Sequence, residues 1–232
     1  MIFEEREKFI FNLIKKIKGI DFVVIGGYAV NAYTLPRFSI DCDFVVKTKE
    51  EGKKLQEFFE LNGFNKTVSG ATQSYKGNFI ALKTSKPVKT SIDILVESVF
   101  DRITETEIPA KLIFQYSKKR IIYGKGTPIQ IETKVVNPEM LFYIKCIPAR
   151  KSDIRDCFML SSTKLNKQIF KELKKELIVP KKSIEKIIEI TSKKQFINAL
   201  QGIYGKIPEE QLEKTKHELE TNLEIIKNQK KL

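Results

Sequence analysis

Phe22-Val23-Val24-Ile25-Gly26-Gly27-Tyr28-Ala29-Val30-Asn31-Ala32-Tyr33-Thr34-Leu35-Pro36-Arg37-Phe38-Ser39-Ile40-Asp41-Cys42-Asp43-Phe44-Val45-Val46 is the stretch around which the chain organises itself. Thirteen residues lie between the Gly26-Gly27 pair and Asp41. The pattern predicts an apolar strand, a glycine turn, a short helix ended before Pro36, and a second strand over 39–46. Glycines that open a helix let a phosphate approach backbone N–H groups. In the second strand Ile40, Cys42, Phe44 and Val46 share one face, and Asp41 and Asp43 share the other. Same-face neighbours lie roughly 6.5–7 Å apart, so both carboxylates can reach a pair of divalent ions about 3.5–4 Å apart. A phosphate cradle beside a metal site suggests nucleotidyl transfer.

A third carboxylate stands further on, in Val88-Lys89-Thr90-Ser91-Ile92-Asp93-Ile94-Leu95-Val96. Lys89, Ser91 and Asp93 share a face opposite an apolar one. A mid-strand acid is costly if buried alone. Set beside the Asp41/Asp43 strand, Asp93 would complete a three-carboxylate site, as metal ligand or as the base that activates an attacking hydroxyl. Oxygen ligands favour Mg²⁺ or Mn²⁺ over zinc.

Outward from this centre, residues 3–18 carry a helical apolar stripe that Gly19 stops. Residues 49–62 read as a helix ended by Gly63. Strands are expected at 64–68, 73–84, 88–97, 119–123 and 128–135, with turns at Ser69-Gly70 and Lys76-Gly77-Asn78, and 99–117 as a loop with a short helix. From Pro138 the signals are helical only: 139–147, 151–162, 166–176, 181–190, 193–203 and 208–228, with a frayed end at Lys227–Lys231. Strand signals cease near residue 136, which divides the chain into an α+β domain, 1–136, and an all-helical domain, 137–232.

The 232 residues are 41% apolar, enough for a packed core. Net charge is +13, from 42 basic and 29 acidic residues, and favours polyanionic partners such as nucleic acid or nucleoside triphosphates. A Lys-rich surface accounts for the same charge, since no aromatic-basic RNA-reading motif accompanies it. Cys42, Cys146 and Cys157 lack metal-site spacing and read as buried thiols. His217 is the one histidine, expected at the surface, so a histidine triad or multi-histidine metal site is excluded. No run of eighteen apolar residues is present, and the acidic, amphipathic amino-terminus is unlike a signal peptide. The expected location is the cytoplasm, with no membrane partner.

The order Gly-Gly, Asp-x-Asp, single strand Asp resembles the signature of the DNA polymerase β-like nucleotidyltransferases. Within that superfamily, Gly26-Gly27-Tyr28-Ala29-Val30 followed by Pro36-Arg37-Phe38-Ser39-Ile40-Asp41-Cys42-Asp43 is similar to the AbiEii-type abortive-infection toxins and related minimal nucleotidyltransferases. Arg37 and Ser39 match their Arg-x-Thr/Ser-x-Asp-x-Asp pattern. The resemblance implies an α+β fold, with a mixed sheet and flanking helices in a catalytic domain followed by a helical carboxy-terminal portion. It also implies transfer of a nucleotide from a triphosphate to an acceptor, tRNA in some members, and an antitoxin partner where the protein is a toxin. It implies phosphate binding at Gly26, Gly27, Arg37 and Ser39, and metal at Asp41, Asp43 and Asp93. It also implies a helix-borne lysine and a later basic-Asp-x-x-Asp motif. Lys145, in Met140–Pro148, matches the first as a triphosphate-binding group. Arg150-Lys151-Ser152-Asp153-Ile154-Arg155-Asp156 matches the second, with Asp153 capping its helix or orienting Lys145 or Arg150. Pro148 interrupts a helix that is usually longer, and no motif extends past residue 160. Two other readings stand beside this one: an aminoglycoside-type transferase with a small-molecule acceptor, and a silent fold that only binds RNA or a protein.

Overall fold

The computed structural model of the protein describes residues 2–67 and 78–227. The turns expected at Ser69-Gly70 and Lys76-Gly77, the first residues of the 73–84 strand and most of the Lys227–Lys231 end lie outside them. The chain divides into two compact units, Met1–Ala32 with Pro36–Asn137, and Tyr33–Leu35 with Pro138–Leu232.

In the first unit, helix α1 (Ile2–Lys16) buries Ile10, Phe11, Leu13 and Ile14. Then come β1 (Val23–Ile25), the short helix α2 (Gly26–Val30) and β2 (Asp41–Val46). Helix α3 (Lys49–Leu61) opens on a capping box in which Thr48 accepts from Glu51 N–H and Glu51 reaches back to Thr48 N–H. Strands β3 (Asn65–Lys66), β4 (Asn78–Thr84) and β5 (Thr90–Val96) follow. A two-stranded hairpin, β6 (Ser98–Asp101) with β7 (Thr106–Pro109), leads into α4 (Ala110–Gln115), β8 (Ser117–Tyr123) and β9 (Gln130–Val136).

The hairpin departs from the loop expected over 99–117. Its strands have four residues each, too short for a periodic signal. Its turn carries neither Gly nor Pro; the Asp101 carboxylate instead accepts from Thr104 N–H at 2.9 Å and Thr104 Oγ1 at 2.8 Å.

The main sheet runs β3-β4-β5-β2-β1-β9-β8. The β2–β5 and β1–β9 pairs are parallel and the other four antiparallel, which makes the sheet mixed. Cys42, Phe44, Val46, Ile92 and Ile94 are fully or almost fully buried. Phe44 meets Phe22 and Phe59 at ring-centroid distances of 5.2 and 5.5 Å. Each such buried aromatic contributes about 1.5–3 kcal/mol. Ile40, expected on this apolar face, precedes the strand and is 60% exposed.

The second unit is helical: α5 (Pro138–Cys146), α6 (Lys151–Ser161), α7 (Lys167–Glu176), α8 (Lys181–Thr191), α9 (Lys194–Tyr204) and α10 (Glu209–Lys227). Met140, Leu141, Phe142 and Tyr143 of α5 are wholly buried, which makes it the central helix of this unit. The Tyr143 hydroxyl donates to Phe170 O at 3.0 Å. His217 is exposed on α10, and the three cysteines are buried. Among the described residues no helix is long and apolar enough to cross a membrane.

Candidate active site

Sheet register gathers the carboxylates. Strand β2 runs parallel to β5 with Asp43 opposite Asp93 and Asp41 opposite Ser91. On its other side Asp43 is opposite Ile25, the residue before the glycine pair. Residues directly opposite in a ladder share a face of the sheet. Asp41, Asp43 and Asp93 are half-buried on one face, while Cys42 and Ile92 are sealed on the other. Asp41 Oδ1 accepts a hydrogen bond from Ser91 Oγ. Among the described residues no three His, Cys, Asp or Glu side chains form a ready-made metal cage.

The two glycines are required by what approaches them. Gly26 has φ +69°, and a Cβ there would collide with Asp43 Oδ2 and lie 2.7 Å from its Cγ. A Cβ on Gly27 would strike Ser39 Oγ and lie 3.0 Å from both Nη1 and Nη2 of Arg37. The glycine pair is therefore the floor on which Asp43, Arg37 and Ser39 rest. No side chain caps the amino end of α2.

The loop that carries Arg37 and Ser39 is held from inside. Asn31, fully buried at the end of α2, accepts from Arg37 N–H at 3.1 Å and donates through Nδ2 to Arg37 O at 2.8 Å. Tyr28 Oη donates to Ser39 O at 3.3 Å, and Ser39 Oγ donates to Asp41 O at 3.1 Å. Arg37 is buried, its Nη1 donating to Phe38 O. The sequence reading missed Asn31. Its signal was a lone amide at the end of an apolar helix, six residues before the arginine.

Burial, then repulsion from Asp43 and Asp41, pushes the Asp93 carboxyl up to about 7. Lys83 and Arg102 act in the opposite direction. Neither had been singled out from the sequence. Burial raises the Cys42 thiol well above its ordinary value, reinforced by Asp43, Asp41 and Asp93, so it stays protonated.

Lys145 and Asp153 belong to the second unit. The chain reverses between α5 and α6, with Ala149 at φ +44°. Lys145 Nζ meets Asp153 Oδ1 at 3.0 Å and Asp156 Oδ2 at 3.1 Å, all three side chains largely buried. Asp153 also accepts from Arg150 N–H at 3.3 Å at the amino end of α6. Asp153 thus does both things the motif suggested, capping its helix and holding Lys145. Asp156 shares the same lysine.

The family model for the AbiEii nucleotidyl transferase toxin of type IV toxin–antitoxin systems matches residues 8–220. The match continues through the helices after residue 160, where no motif had been recognised. No curated protein matches the chain significantly. Among solved structures, a Thermotoga maritima protein provisionally assigned as a nucleotidyltransferase is similar at 16% identity, over 62% of this chain and 84% of its own, with TM-score 0.43. An H. pylori protein with the same provisional assignment is similar at 11% identity, over 98% of this chain and 97% of its own, with TM-score 0.43. The STING-associated CdnE c-di-GMP synthase from Capnocytophaga granulosa is similar at 14% identity, over 97% and 79%, with TM-score 0.27.

Proposed function

This chain belongs to the AbiEii nucleotidyl transferase toxin family, and on that premise we propose that it moves a nucleoside monophosphate from a nucleoside triphosphate to a hydroxyl of RNA. The observation that carries the reading is the pair Asp43 and Asp93, side by side across β2 and β5, with Gly26 pressed against Asp43.

The donor set fits magnesium or manganese. Two adjacent carboxylates repel each other and have nothing but hard oxygens to offer. Magnesium is usually bound by one or two carboxylates together with substrate phosphates and waters, so a closed three-ligand cage is not required. Asp43 and Asp93 would hold the ion, joined by Asp41 when it turns from Ser91. The ion would neutralise charge on the triphosphate.

The protein's own groups do the rest. The Gly26 and Gly27 backbone and the Arg37 guanidinium receive phosphate oxygens, with Ser39 beside them. Within the helical unit, Lys145 is oriented by Asp153 and Asp156. The acceptor hydroxyl attacks the α-phosphorus, the bond to the β-phosphate breaks, and pyrophosphate leaves. The hydroxyl proton passes to Asp93. Positioning and electrostatic stabilisation supply most of the rate.

The net charge of +13 supports a polyanionic acceptor over a cationic small molecule. Membership of a toxin family supports an antitoxin partner. The test is transfer of label from each α-³²P nucleoside triphosphate to total RNA with Mg²⁺ or Mn²⁺. Labelled RNA with wild type and none with Asp43→Asn is the expected result. Metal-dependent triphosphate binding without labelled RNA would replace the RNA acceptor with a small molecule or protein.

A further inference from the structure

We propose that Lys83, with Arg102 from the adjoining hairpin, binds a phosphate group of the acceptor strand. This rests on the reading of Asp93 as the group that takes the acceptor's proton.

The placement follows from register. Lys83 on β4 is directly opposite Ser91 on β5, and Ser91 is opposite Asp41 on β2. The next row on the same face runs Ala81, Asp93, Asp43, Ile25. Lys83 therefore stands on the carboxylate face, while its neighbour Leu82 is sealed on the other against Ile92. Its side chain is exposed, and among the described residues it forms no salt bridge. Ala81, beside Asp93, contributes only a methyl group, so nothing from that position overhangs the carboxyl.

Two sides of the site can be distinguished. The glycine turn, Arg37 and Ser39 lie at the β1 side of Asp43. Lys83 lies at the other side, one strand past Asp93. Strands β1 and β4 are three steps apart, about 14 Å at the usual interstrand spacing. Phosphates seated at the glycine turn are thus on the far side of the carboxylates from Lys83. Lys83 is a diagonal neighbour of Asp93 across the β4–β5 pair, roughly 7–8 Å away along the backbone, so a group whose hydroxyl is held at Asp93 is within reach of its long side chain. Arg102 begins the β6–β7 turn, and β6 starts two residues after β5 ends. The positive charges of both side chains are felt at Asp93, which supports their proximity. A cation pair here suits an acceptor that carries its own phosphates, as RNA does, and repels a cationic small molecule.

Phosphate chemistry at Lys83 has two sources, the acceptor strand and the triphosphate, and kinetics separates them. The full-length protein is assayed with bulk tRNA and ATP as probes, as wild type, Lys83→Gln, Lys83→Glu and Lys83→Arg, with circular dichroism as the fold control. The expected result is an acceptor KM and tRNA Kd raised roughly five- to tenfold by Lys83→Gln and more by Lys83→Glu, at an unchanged KM for ATP. The salt slope of tRNA binding should fall by about one, and Lys83→Arg should restore affinity. A raised KM for ATP with an unchanged acceptor KM assigns Lys83 to the triphosphate and overturns the proposal. Unchanged values for both, or no tRNA binding by wild type, also overturn it. A wild type that binds tRNA through Lys83 but transfers no label contradicts the transferase reading alone.

Discussion

Asp43 and Asp93 face each other across a parallel ladder, and the backbone of Gly26, just past the end of β1, lies against Asp43 from the other side. Two carboxylates in that relation repel each other, and the folded protein holds them together nonetheless. Stability without a divalent cation must therefore depend on pH. The folded-state value for Asp93 is about 7, raised from 3.8 first by burial and then by its acidic neighbours. The unfolded chain ionises near 4 and the folded chain near 7, so stability falls as pH rises through that window. The loss is on the order of 4 kcal/mol by pH 8, of which about 1.4 kcal/mol falls between pH 6 and pH 8. Metal-free protein should melt at a lower temperature at pH 8 than at pH 6. Asp93→Asn should flatten the difference, and Mg²⁺ should raise the pH 8 melting temperature of wild type only. An equal pH slope in wild type and Asp93→Asn would show that Asp93 is not the titrating group.

Gly26→Ala and Gly19→Ala form a controlled pair. Both glycines have positive φ, +69° and +71°, but only at Gly26 would a Cβ meet Asp43; nothing lies within 4 Å at Gly19. Gly19→Ala should cost about 1 kcal/mol from backbone strain and leave nucleotidyl transfer intact. Gly26→Ala should lose at least tenfold in transfer, because Asp43 must move. Urea unfolding together with a label-transfer assay reads both. Equal activity in the two variants would show that the Gly26–Asp43 contact is unimportant to the chemistry.

Asn31→Ala removes both hydrogen bonds that hold the Arg37 backbone. Each lost bond leaves a buried group unpaired, so roughly 2–4 kcal/mol of stability should go. If Arg37 receives a phosphate, the KM for the triphosphate should rise in step. A stability loss with an unchanged KM would remove Arg37 from the binding machinery.

In the helical unit, Lys145→Met leaves Asp153 and Asp156 buried without their shared cation. It should destabilise by about 3–5 kcal/mol. The double variant Lys145→Met with Asp156→Asn should recover part of that loss, which a double-mutant cycle by thermal unfolding would measure. Strict additivity would mean that the pair is not coupled.

Much of this arrangement was legible in the chain because it rests on period-two alternation. Asp41 and Asp43 against Cys42 and Phe44, and Asp93 against Ile92 and Ile94, could be assigned to faces from their spacing. The family resemblance added the adjacency of the two strands, which alternation alone does not specify. Asn31 escaped notice because its partner is the Arg37 backbone, which a local pattern does not reveal, and Lys83 and Arg102 because their neighbours come from other strands. Lys83 becomes part of the site only through the β4–β5 register, and its local sequence resembles any exposed strand lysine. The β6–β7 hairpin escaped because Asp101 and Thr104, not glycine or proline, close its turn. Lys145 and Asp153 were visible as a motif, but that Asp156 shares the lysine depends on the reversal at Ala149, a residue with no ordinary preference for positive φ.

The central claim is nucleotidyl transfer at the Asp43–Asp93 pair. Its most direct test incubates the protein with total RNA, Mg²⁺ and ATP labelled at either the α- or the γ-phosphate, repeated with the triphosphate that labels best. Wild type should place α-label in RNA and release γ-label as pyrophosphate, and Asp43→Asn should do neither. Transfer of γ-label to RNA, or equal α-labelling by wild type and Asp43→Asn, would contradict the account.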